Sequence, residues 1–223
     1  MVVAMLVFGI VMTMVVGILS PAAKLFLRME EFQRAQVILD NTVQELYAMT
    51  ETATGYIKIY GTETAVGAPG AGSGPMLEFL ERENYAVLIS TGGCPETKIV
   101  VGGTEMGNPE PSKAPGRLLA RYYYVPKNTG SYQYQYEDAG GPVARAVSQI
   151  FTDRYYIGNY LEIEFSFPAG VADGDSVAYV NADVKLYDMD SSGGKGRLIA
   201  EEKEVVLNFR YAVVRNDDIT AGN

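Results

Sequence analysis

The chain has 223 residues, enough for one domain of ordinary size together with a separate apolar segment. Its 18 Lys and Arg face 27 Asp and Glu, a net charge of −9 that disfavours nucleic acid as a partner, because phosphate binding needs clustered cations. The single cysteine, Cys94, excludes an internal disulfide, and the absence of His removes the commonest general base and metal ligand together.

No residue from Met1 to Ala23 is charged, and only Thr13 and Ser20 are polar. As a helix this stretch reaches about 30 to 35 Å, the thickness of a bilayer's hydrocarbon core. A buried helix of a soluble protein normally shows a polar face. A cleaved signal carries a basic stretch ahead of a shorter apolar core. The pattern therefore predicts a membrane anchor over residues 1–24. Lys24 and Arg28 flank it on the head side, so charge alone argues for a cytoplasmic head.

The helix is predicted to continue through residues 25–53, with at most a kink at Pro21. Leu25, Met29, Phe32, Gln36, Leu39, Val43 and Leu46 recur at steps of four and three, which places them along one face. Leu25, Met29, Phe32, Leu39, Val43 and Leu46 are the residues expected to pack this half onto a sheet. Glu30 and Arg34 form an i, i+4 pair with the acid first. The pattern stops between Thr50 and Gly55.

Residues 54–223 read as a β-rich head. Short strands are expected at Tyr56 to Tyr60, Tyr85 to Ile89, Lys98 to Val101 and Arg117 to Val125, with Gly- and Pro-rich connections over 61–74 and 102–116. Tyr132, Tyr134 and Tyr136 alternate with glutamines and suit an edge strand. The strongest alternation comes late. Leu161, Ile163, Phe165 and Phe167 share one face. Ala178, Val180, Ala182, Val184 and Leu186 share another, and Val205, Leu207, Phe209 and Tyr211 a third. The turn from Asp188 to Gly196 should join the last two as an antiparallel hairpin. The fold class is α+β: a long N-terminal helix, apolar then amphipathic, packed on an antiparallel sheet with one covered and one wet face.

A long N-terminal helix of this kind followed by an antiparallel sheet resembles the type IV pilin and pilin-like family. The resemblance is carried by Met1 to Leu19 and the helix through Ala48. It implies a structural subunit, major or more specialised, of a pilus or of a pilus-like secretion or DNA-uptake filament. Such a subunit is held in the cell membrane by the helix, displayed at the cell surface and assembled through that helix. Its partners would be other pilin subunits, the membrane, the assembly machinery and a prepilin peptidase acting on a basic leader. The family's leader and Phe-Thr-Leu-x-Glu motif are missing from this sequence, and the resemblance places them upstream of Met1. Membrane or filament packing would then fall on Ala4, Met5, Phe8, Gly9, Met12, Val16, Gly17 and Pro21, where small residues allow close approach. The competing reading is a single-pass surface protein whose head binds a ligand and never polymerises.

Nothing in the sequence assembles an active site or points to a cofactor. Asp188, Asp190 and Ser192 resemble the opening of a calcium loop, but Ile199 stands where the closing acid belongs, and a plain hairpin turn accounts for them. Glu162 and Glu164 share a strand face as a solvated pair does, and this explains them better than a pair of glycosidase carboxylates.

Overall fold

The computed structural model describes residues 2–61, 71–81, 85–91, 99–101, 104–106, 116–124, 127–128, 131–132 and 146–215. Cys94, Tyr134, Tyr136 and most of the 102–116 connection lie outside the described residues, as do the side chains of Ala4 and Val16.

The first element is one unbroken helix, α1 (Val2–Thr50), which carries Pro21 in its interior. Thirteen strands and a short helix are described after it. They are β1 (Ala53–Tyr60), β2 (Ser73–Gly74), β3 (Met76–Glu81), β4 (Tyr85–Thr91), β5 (Ile99–Val101), β6 (Thr104–Met106), β7 (Leu118–Tyr124), β8 (Lys127–Asn128), β9 (Ser131–Tyr132), β10 (Ala146–Gln149), α2 (Asp153–Tyr156), β11 (Asn159–Ser166), β12 (Ser176–Met189) and β13 (Lys195–Arg215). Nine strands form the main sheet in the order β10-β7-β4-β3-β1-β13-β12-β11-β2, while β5 with β6 and β8 with β9 form two-stranded ribbons.

The sheet is two antiparallel meanders joined edge to edge. One contains β1, β3, β4, β7 and β10, and the other β11, β12 and β13. Where they meet, β1 and β13 run parallel, with Gly55 opposite Val213 and Ile57 opposite Arg215. This corrects the wholly antiparallel sheet read from the sequence. Each meander is locally antiparallel, but the first strand of one and the last strand of the other happen to enter the seam in the same direction.

The sheet also curls. The outer edge of β11 is bonded to the segments just ahead of β3 and β7. Phe165 pairs with Gly74, the Phe167 amide donates to the Gly72 carbonyl at 3.1 Å, and the Leu161 amide donates to the Gly116 carbonyl at 3.0 Å. Gly116 sits at φ +76, and a Cβ there would lie 2.6 Å from the Tyr160 ring, so only glycine fits this crossing.

Inside the curl lies a single core. Ala35, Ile38, Leu39, Val43 and Leu46 of α1 meet Ile57, Ile59, Leu77, Phe79, Val87 and Ile89 from one meander and Leu161, Ile163, Phe165, Val180, Val184 and Leu207 from the other. Alternation holds along β11 and β12, where apolar residues are buried and their neighbours half-exposed. Two positions depart from the predicted burial. Ala178 is exposed and Val177 buried, and Tyr211 is exposed and Val213 buried. The β12–β13 register shifts between Val177 and Tyr179, and such a shift turns Val177 in place of Ala178 to the core, whereas Tyr211 keeps the face it shares with Val213 and is exposed on it.

The wet face predicted for the whole sheet exists only in part. Every residue from Tyr56 to Tyr60 and from Met76 to Leu80 is buried, so β1 and β3 are covered on both sides. Leu46 is fully buried at the centre of the helix–sheet contact. Leu46→Ala should lower stability by about 3 kcal/mol, the usual cost of a core leucine truncation, measured as a fall in the denaturant midpoint with unchanged slope.

Candidate functional surface on the stem helix

The residues that set this protein apart are on α1, whose two halves have opposite surroundings. In the N-terminal half, Met5, Phe8, Met12, Met14, Val15 and Leu19 are all exposed, with Phe8 62% accessible and Met14 65%. Gly9, Gly17 and Pro21 are exposed too, and a Cβ at either glycine would meet nothing within 4 Å. No packing within one copy therefore demands glycine there, although each costs helix stability of about 1 kcal/mol relative to alanine. The helix is long and apolar enough to cross a membrane by length and composition.

The predicted helix-to-sheet stripe divides at the edge of the head. Leu39, Val43 and Leu46 are in the core, whereas Leu25, Met29 and Phe32 are exposed at 60%, 52% and 50%. Leu25 and Met29 lie below Glu31, which meets Arg197 of β13 at 2.9 Å, and Phe32 stands beside that contact at the lower edge of the head. Below that point the described side chains of α1 are exposed, Ala22 only in part. Above it the buried face widens to include Ala35, Ile38 and two threonines, Thr42 and Thr50. Their buried hydroxyls donate to the carbonyls of Ile38 and Leu46 one turn back.

Polar contacts fix the helix to the head along two lines. One follows β13: Glu31 to Arg197, Asp40 beside Glu202, and Glu51 to Arg210 at 3.9 Å. In the middle pair, burial first and the neighbouring Asp40 second push the Glu202 carboxyl above its ordinary 4.5. A carboxyl raised in the folded state adds stability that is complete below the unfolded value and fades as pH rises through the folded one. Stability should therefore decline from pH 4 upward through this pair. Asp40→Asn should flatten that part of the profile, read from thermal midpoints between pH 4 and 7; an unchanged slope would remove the pair from the account.

The other line is α2, which acts as a bracket. The Asn41 side-chain amide donates to the Tyr155 hydroxyl at 2.7 Å, and that hydroxyl donates to the Val37 carbonyl at 3.3 Å. Tyr155 stacks on Phe151 with ring centroids 4.4 Å apart. Next to it Tyr156 is fully buried, its hydroxyl accepting from the Leu118 amide at 3.0 Å, and its phenol is pushed up to about 12, chiefly by burial. The Arg117 guanidinium lies over the Tyr156 ring at 4.4 Å and reaches Asp153 at 3.2 Å. Hydrogen bonds from Gln149 and Arg117 hold Asp153 below the usual carboxylate range. The Tyr155 hydroxyl joins elements more than a hundred residues apart, and no local sequence signal announces the bracket.

Among the described residues, two depressions lie beside the helix. A groove of about 450 Å³ between α1 and α2 is lined by Val37, Ile38, Tyr155 and Ile157, with Arg34 and Arg154 among its charged residues. Ile157 adopts a left-handed conformation at φ 51 and is 56% exposed, an uncommon setting for a β-branched side chain. A smaller cavity of about 180 Å³ at the upper end of the helix has Met49, Phe79, Val87 and Tyr122 with Glu45 and Glu81. Burial, then Glu81 and Glu45, raise the Tyr122 phenol.

The chemical alternatives find ordinary structural roles. One carboxylate oxygen of Asp190 accepts from the Ser192 amide at 2.8 Å, the Ser192 hydroxyl at 2.6 Å and the Gly194 amide at 2.8 Å, which closes the β12–β13 turn. Asp188, the other acid of the suspected metal loop, is on β12, and among the described residues no three His, Cys, Asp or Glu side chains are grouped to hold a metal. Glu162 is ion-paired with Lys195 beside Tyr187, and Glu164 is exposed on the same strand. Comparison with known protein families, with curated proteins and with solved structures finds no match for this chain.

Proposed function

We propose that this chain is a structural subunit, minor or specialised, of a type IV pilus-like filament. It is held in the cell membrane by the first half of α1 and assembled at the cell surface through that helix. The observation that carries the reading is the division of α1: its upper half lies in the core of the head, while the large apolar side chains described in its lower half, from Met5 to Met29, are exposed.

Length adds support. Exposed apolar residues run from Met5 to Phe32, a helical distance of about 40 Å, against about 30 Å of hydrocarbon in a bilayer. Lipid tails cover the charge-free part but not the whole, and Leu25, Phe26, Leu27, Met29 and Phe32 need protein against them. Other copies, or related subunits, would supply it. Helix packing then replaces lipid contact, with Gly9 and Gly17 permitting close approach. The partners are other pilin subunits, the assembly machinery and a prepilin peptidase acting on an upstream leader. Neither a cofactor nor a nucleic acid enters this reading.

The test is to purify intact filaments from the source cells and identify the chain in them by mass spectrometry. The coding DNA upstream of Met1 should also encode, in frame, a short basic leader and Gly-Phe-Thr-Leu-x-Glu. A chain found solely as a membrane-bound monomer, with unrelated residues upstream, would replace this reading with that of a single-pass surface binding protein.

A further inference from the structure

We draw no further inference here: the strongest candidate, the apolar groove between α1 and the α2 turn lined by Val37, Ile38, Tyr155 and Ile157, carries nothing because nothing in the structure shows what covers it.

Discussion

Replacing Met12 and Val15 together by arginine should move the protein out of the membrane fraction while leaving its head folded. Both residues are exposed near the middle of the charge-free stretch, 48% and 43% accessible. An arginine at the centre of a membrane helix costs about 2.5 to 3.5 kcal/mol, so the pair costs about 6 kcal/mol, some four orders of magnitude in partitioning. The head's own core begins at Ala35, more than a dozen residues further on, so its thermal midpoint and circular dichroism should not change. Membrane sedimentation followed by alkaline extraction reads the first effect. If the double variant stays in the membrane pellet, the lower half of α1 is not the anchor. If the head unfolds as well, α1 is not divided in the way its exposures indicate. A conservative partner variant, Met12→Leu with Val15→Ile, should behave as the parent does, which separates charge from any change at these positions.

What the sequence made legible follows from how one-sided each environment is. The apolar N-terminal segment stands out because charge is absent over the whole of Met1 to Ala23, and no packing context is needed to see that. The strands β11 and β12 were readable because core lies on one side and solvent on the other, which writes a period of two into the residues. β3 went unpredicted for the opposite reason. With both faces covered, Met76 to Leu80 has no alternation, and Glu78 looks like an interruption instead of a buried partner. The stem stripe shows a different limit. Leu25 and Leu39 carry the same pattern, and only the reach of the head, set by where Arg197 meets Glu31, decides that one is wet and the other buried. The bracket built on Tyr155 and Asn41 and the parallel meeting of β1 with β13 depend on long-range pairing, so neither leaves a mark on neighbouring residues.

Glu78 is a buried charge of the head, and its neutralisation should cost about 3 to 5 kcal/mol. It is 1% exposed. The Tyr56 hydroxyl donates to one carboxylate oxygen at 2.7 Å and the Tyr60 hydroxyl to the other at 3.1 Å. Directly across the β1–β3 register is Lys58, 6% exposed, with its ammonium 5.5 Å from the Tyr56 ring centroid. The same row continues through Leu88 to Arg121, also buried, so among the described residues this row holds two cations and one anion with little water to screen them. Glu78→Gln preserves shape and an acceptor for a tyrosine hydroxyl but removes the negative charge. Lys58 then loses the carboxylate directly opposite it, and at 2 to 4 °C per kcal/mol the thermal midpoint should drop by about 10 °C. Adding Lys58→Met removes the opposing charge as well and should restore most of the loss, because an apolar replacement of both charges is often near neutral whereas breaking one side is not. A double-mutant cycle measured by urea unfolding gives the coupling directly. If the two losses simply add, the charges do not compensate each other, and the stability of this face comes from the tyrosine hydrogen bonds and apolar packing alone.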